Sequence, residues 1–165
     1  DGGAQRYDED MKPITEASHI VIVARDYAEK YTGTTNLEEA CRIIHERGAC
    51  IAGVTDGANG SYFVWPDGTA YRCQPFPQEH VVDTTGAGDS FHGAFLSKLA
   101  ASIRQENALH DEFIKPIDIL QSLDHKQLES AAIFASAVSA LNTQGIGGRS
   151  ALPSLETARN LAGLE

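Results

Sequence analysis

The stretch richest in chemistry runs from Asp83 to Phe95, DTTGAGDSFHGAF, where a glycine-rich turn leads straight into a helical pattern. Gly86 and Gly88 let the backbone turn with positive φ and come close to a ligand, and the start of a helix leaves N–H groups without intrahelical acceptors. Together these features make an anion hole, suited to a phosphoryl group and to charge that develops on it. Asp89 falls in the first turn of the helix. A carboxylate there can take a proton from an attacking hydroxyl held about 2.6–3.2 Å away. The plainer alternative is that the glycines only make a turn and that the helix dipole only favours an acid at its start.

These residues need elements to place them. His19 to Ala24 (HIVIVA) is a β-branched apolar run without polar alternation, the pattern of a central parallel strand buried on both faces. After a turn at Thr32-Gly33, Asn36 and Glu39 open a helix whose apolar face is Leu37, Ala40, Cys41 and Ile44, and Gly48 stops it. Cys50 to Thr55 is a second buried strand, so the crossover should be right-handed and put both strands in one parallel sheet. Ser61–Trp65 and Ala70–Cys73 flank Pro66-Asp67-Gly68-Thr69 and read as a hairpin at the sheet edge. Phe91, Phe95, Leu99 and Ile103 mark a helix from about Ala87 to Arg104. Residues 105–123 give no clear pattern. Asp124 and Gln127 then cap a long helix with a buried face of Leu128, Ala131, Ala135 and Val138, and a short helix starts near Ser154. Between these last two lies a loop, Thr143 to Pro153, that carries Gly145, Gly147 and Gly148.

The chain has 165 residues, 42% of them hydrophobic and 22% charged, which fits one compact domain over residues 1–165. A formal charge of −10 argues against nucleic acid as a partner, because such partners need clustered Lys and Arg. It does not argue against a nucleotide, which backbone amides can hold locally. No apolar run reaches the roughly 20 residues that span a bilayer, so the expectation is a cytoplasmic protein without a membrane partner. Cys41, Cys50 and Cys73 form no Cys-x-x-Cys pair and suit reduced thiols. His45-Glu46 lacks the second His of a zinc motif, and no structural metal is expected. The chain opens at Asp1-Gly2-Gly3 and has its one methionine at Met11, from which we expect it to begin within a longer protein.

Residues 83–95 resemble the second signature of the ribokinase (PfkB) family of carbohydrate kinases, Asp-Thr-x-Gly-Ala-Gly-Asp-x-Phe followed by a small pair, here Gly93-Ala94. The resemblance implies a three-layer, Rossmann-like α/β sheet with helices on both faces, present in part, without its N-terminal portion and lid. It implies Asp89 as catalytic base and the N–H groups of Gly86, Ala87, Gly88 and Asp89 as the anion hole. Thr55-Asp56-Gly57-Ala58-Asn59-Gly60 is similar to the family's Thr-x-Gly-x-x-Gly turn, which lines the phosphates and ribose of ATP. By position, Ser136 would touch the adenine, with Gly147 and Gly148 in the loop beside it. Asp83 and Thr85 match the positions that hold a monovalent cation, K⁺, near the anion hole. The cofactors implied are thus ATP, Mg²⁺ and K⁺, the partner a small sugar, and the assembly the resemblance allows is a homodimer.

The departures carry information too. Many relatives have Asn-x-x-Glu after the first strand, where it organises magnesium and phosphate; here the residues are Ala24-Arg25-Asp26-Tyr27. Ketohexokinase-like branches also lack the motif, so the change alone does not mark a dead enzyme. The resemblance accounts for only the later half or so of a family member, and the sugar cannot be read from it. Two other readings stand beside the kinase. One is a catalytically degenerate nucleotide-binding module that acts through a partner. The other is a dehydrogenase domain, suggested by the strand-helix-strand order, although Gly86-x-Gly88 is followed by Gly93 at the wrong spacing and lies far from the first strand.

Overall fold

The computed structural model describes residues 7–109 and 114–164. Asp1 to Gly3 lie outside the described residues, as do four positions in the stretch that gave no clear pattern. The chain forms an α/β fold, a small mixed sheet with helices, and packs as two compact units, Asp1–Cys73 and Gln74–Glu165.

The first unit opens with a 3₁₀ turn, Glu9–Met11, and a short helix α1 (Lys12–Glu16) with proline in its first turn. Its sheet has the order β1 (Ile20–Ala24), β2 (Ile51–Thr55), β3 (Ser61–Val64), β4 (Ala70–Cys73). β1 and β2 run parallel, in register from Ile20 with Ile51 to Ala24 with Thr55, and the other two pairings are antiparallel. The expected crossover and edge hairpin are therefore present. One expectation needs correcting: among the described residues β1 is a terminal strand of the sheet, not a central one. Its Val21, Ile22 and Val23 are buried all the same. Hydrophobic continuity reports burial, and burial does not require a hydrogen-bonded neighbour on each side.

Two helices link β1 to β2. α2 (Arg25–Thr32) follows the strand directly and ends at Gly33, whose φ of 80° gives the left-handed C-cap. In α3 (Leu37–Glu46), Asn36 accepts from the Glu39 N–H, and Leu37, Ala40, Cys41 and Ile44 are buried as the pattern requires. They meet Val21, Val23, Tyr27, Tyr31, Ala52, Val54 and Val64 in one core. Burial there pushes the Cys41 thiol up to about 12, which makes it an unreactive core residue. Gly53 has a steric reason: a Cβ on it would lie 2.7 Å from the Phe63 ring opposite, which stacks on Trp65 at 4.8 Å between centroids.

The second unit is helical. α4 (Ala87–Asn107) packs on α6 (His125–Asn142), and α6 on α7 (Leu155–Ala162). Phe91, Ala94, Phe95 and Leu99 are the buried face of α4, with Ile103 half-buried at its far end. Facing residues on α6 are small, Ala131, Ala132, Ala135 and Ala137 among them, which allows close approach. α6 begins with a full capping box between Asp124 and Gln127, and Ser154 caps α7. A helix that the sequence reading missed, α5 (Pro116–Ser122), starts on its proline and packs against α4. Among the described residues no helix is long and apolar enough to cross a membrane.

Candidate active site

Gly86 is the N-cap of α4 and adopts φ 75°, ψ 4°. Of the two glycines expected to use positive φ, only Gly86 does; Gly88 is already in the first helical turn, where such a φ would break the helix. The turn into α4 thus needs one left-handed residue. Gly86 is also pinned from outside. A Cβ on it would overlap the carbonyl oxygen of Gly148 and lie 2.6 Å from Gly148 Cα, so the Thr143–Pro153 loop sits directly on the turn.

The first intrahelical bond runs from Ser90 N–H to Gly86 O at 2.9 Å, and Ala87 N–H donates to Thr84 O at 3.1 Å. Ala87 N–H is therefore engaged by the turn itself. The N–H groups of Gly86, Gly88 and Asp89 have no acceptor among the described residues, which leaves three of the four expected anion-hole donors available. Gly88 and Asp89 are exposed, and Asp89 stands in the first turn as expected, its carboxylate open to solvent. A base that must reach a substrate hydroxyl needs that openness.

Asp83 braces the turn. Its Oδ1 accepts from Thr85 N–H at 2.8 Å and its Oδ2 from Gly147 N–H at 2.8 Å, 64 residues along the chain. The two amides, with the Thr85 side chain, hold its carboxyl below the usual carboxylate range. Val82 and Asp83 N–H both donate to Thr143 O. Ser139 Oγ donates to Ala87 O at 2.8 Å, and Asn142 Nδ2 donates to Gly148 O at 3.0 Å. Gly147 takes φ 87° within the same loop. Asp83, Thr85, Gly86–Asp89, Gly147 and Gly148 are thus brought together. Ser139, Asn142 and Thr143 complete the scaffold, and no sequence signal singled them out. Ser136 is placed differently: it is buried, and its hydroxyl donates to Gln74 O at 3.3 Å.

In the first unit the Thr55–Gly60 turn closes on itself. Gly57 (φ 52°) and Gly60 (φ 92°) flank a 3₁₀ turn, Asp56 N–H donates to Gly60 O, and Thr55 Oγ1 donates to Val23 O. Arg25 donates to both oxygens of Asp56 at 3.1 Å and to Glu29 at 2.9 Å, while Asn59 also binds Asp56. This gives the Ala24-Arg25-Asp26-Tyr27 departure a physical content. Arg25 fixes Asp56, and Tyr27 is buried with its hydroxyl 2.6 Å from that of Thr15. An open cleft of about 670 Å³, lined by Arg25, Asn36, Asp56, Tyr62 and Arg72 among others, lies beside them. Among the described residues no group of three His, Cys, Asp or Glu gathers to hold a metal.

The chain that carries this exposed acid and these free amides has recognisable relatives. The model of the pfkB family of carbohydrate kinases matches residues 3–155. The chain belongs to this family. It is 30% identical over 127 residues to the bifunctional ribokinase/ribose-5-phosphate isomerase A of Fructilactobacillus sanfranciscensis, covering 77% of this chain and 19% of that protein. Its fold matches the ribokinase of Giardia lamblia with a TM-score of 0.74 at 19% identity, over 95% of this chain and 48% of the other. It also matches a fructokinase double mutant of Vibrio cholerae O395, solved with fructose, ADP and potassium, with a TM-score of 0.69 at 22% identity, over 92% and 43%. The ribokinase-like fold is thus present in part, and the pfkB chain spans less than half the length of these relatives.

Proposed function

We propose that the protein transfers the γ-phosphoryl group of ATP to a hydroxyl of a sugar or sugar-like alcohol, with Asp89 as general base. The observation that carries this reading is the exposed Asp89 carboxylate in the first turn of α4, beside the unengaged amides of Gly86, Gly88 and Asp89. Asp89 accepts the hydroxyl proton as the oxygen attacks, and the amides stabilise the charge on the transferring group. The turn has room for a nucleotide tail at Gly88, where a Cβ would meet open space. Thr55, Asp56, Gly57 and Gly60 offer a glycine-lined backbone to the same ligand class. Ser136 supports the adenine side by holding Gln74 rather than by a free hydroxyl.

ATP would supply the phosphoryl group, and Mg²⁺, when bound with it, would neutralise part of its charge. Mg²⁺ is commonly held through phosphates with one or two carboxylates, and because Arg25 ties up Asp56 and Glu29, the phosphates themselves would have to supply most of its ligands here. Both Asp83 oxygens accept amide protons and each keeps a second lone pair, so K⁺ fits there as an added partner beside loop carbonyls. The test is a sugar panel with ATP, using the full-length protein and its Asp89→Asn variant. Turnover that disappears in the variant, with ATP affinity within about twofold, is expected, since the group removed acts on the acceptor. A variant as fast as the wild type would refute the assignment. One observation favours the degenerate module instead: buried Tyr27 at the place of the family's Glu. ATP binding without turnover across the whole panel would select that reading.

A further inference from the structure

The geometry points to Asn142 as a positioning residue that sets the anion turn through the carbonyl of Gly148. This inference rests on the reading of Gly86–Asp89 as the phosphoryl-binding turn. Asn142 ends α6, and its side chain is fully buried. Its Nδ2 donates to Gly148 O at 3.0 Å, whereas its Oδ1 is buried with no hydrogen-bond partner. Rotating the amide by half a turn would set two acceptors against each other, so the donor contact fixes the orientation.

The same Gly148 oxygen is the atom a Cβ on Gly86 would strike first. The carbonyl is therefore wedged between one amide and one Cα. Gly86 opens α4 in the left-handed conformation, and its φ and ψ determine where the Gly88 and Asp89 amides point. Asp83 and Ser139 hold neighbouring points, Gly147 N–H and Ala87 O, but neither touches the Gly148 carbonyl. Asn142 alone among the described side chains binds that oxygen.

The orphaned Oδ1 makes the inference testable. Leucine removes the orphaned acceptor, which is a stability gain, and also the donor to the Gly148 oxygen, which is a loss tempered by the exposure of Gly148, so the two changes largely offset. If Asn142 served only packing, Asn142→Leu would therefore keep both its stability and its turnover close to wild type. A positioning role separates the two: the variant stays as stable as the wild type but loses turnover.

The experiment uses the full-length protein and whichever sugar the panel identifies. In Asn142→Leu we expect a thermal midpoint close to wild type, a kcat lowered about tenfold and a KM for ATP within about twofold, because a small misplacement acts on the transition state. An unchanged kcat, or a loss confined to the KM for ATP, overturns the proposal. If the leucine variant does not fold, Asn142→Ala serves, with the same kcat and KM split required. Asp89→Asn run in parallel separates the failures. If Asp89→Asn is dead and Asn142→Leu is normal, only the positioning role falls; if both are normal, the turn is not the reacting site. Amide NMR gives a readout that needs no sugar. The Gly88 and Asp89 resonances must shift in Asn142→Leu, and shifts confined to residues 145–148 would also overturn the coupling.

Discussion

Asp83 shows how a carboxylate beside the proposed anion turn can brace the backbone around it. Each of its oxygens accepts one backbone N–H, from Thr85 and from Gly147, and both bonds favour the ionised form. Because the folded carboxyl titrates below its unfolded value, its contribution is complete at neutral pH and is withdrawn only as pH falls through the depressed range. The difference in thermal midpoint between wild type and Asp83→Asn should thus stay constant from pH 8 down to about 5 and shrink below about 4, where both states become protonated. Melting curves across that range check it, and a difference that grows on acidification would contradict the pairing. An asparagine there keeps one acceptor but turns an NH₂ toward a second donor. The substitution is therefore expected to break one of the two contacts, with Thr85 or with Gly147, and to keep the other.

At the scale of elements, the decisive feature is how α4 begins. Gly86 combines φ 75° with a neighbouring backbone 2.6 Å from where a Cβ would sit, and both conditions exclude a side chain. Gly86→Ala should lower stability by about 2–4 kcal/mol, from left-handed strain together with overpacking against Gly148. Gly88→Ala, with open space around its Cβ position, should cost little stability, so denaturant unfolding of the two variants gives an internal control. The same element shows what sequence reveals. The α4 stripe and the α3 face were readable because each repeats at helical spacing between strong punctuation, and the Asp124–Gln127 box marked α6 for the same reason. α2 escaped because it starts at Ala24 with no side-chain cap and follows β1 without a break. The clamps escaped for another reason: Ser139 reaches Ala87 and Asp83 reaches Gly147 across 52 and 64 residues. Local pattern carries no record of pairings made at that distance. It identified the groups that point outward, Asp89 and the glycines, but not the residues that fix them. Arg25 is an intermediate case, visible as a departure from the family pattern and explained only by its bonds to Asp56 and Glu29.

For the molecule as a whole, the proposed function raises the question of how a chain with a formal charge of −10 would receive a polyanion. Two fields of different range compete. The amides at the start of α4 act over a few ångströms, within the first turn of the helix, while the net charge acts over the Debye length. That length is about 30 Å at 0.01 M ionic strength and about 8 Å at 0.15 M. At low salt an approaching nucleotide is repelled well before it meets the turn; at physiological salt it meets the local donors first. The association rate of an ATP analogue should therefore rise, roughly twofold to tenfold, as salt increases from 0.01 to 0.15 M. The dissociation rate, governed by contacts already made, should change far less. This trend is opposite to that of a nucleic-acid binder, whose affinity falls steeply over a similar range. Stopped-flow measurements with a fluorescent nucleotide at constant free Mg²⁺ distinguish the two. A rate that falls with salt would mean that a cationic group, with Arg72 beside the cleft as the candidate, steers the ligand in place of the backbone amides.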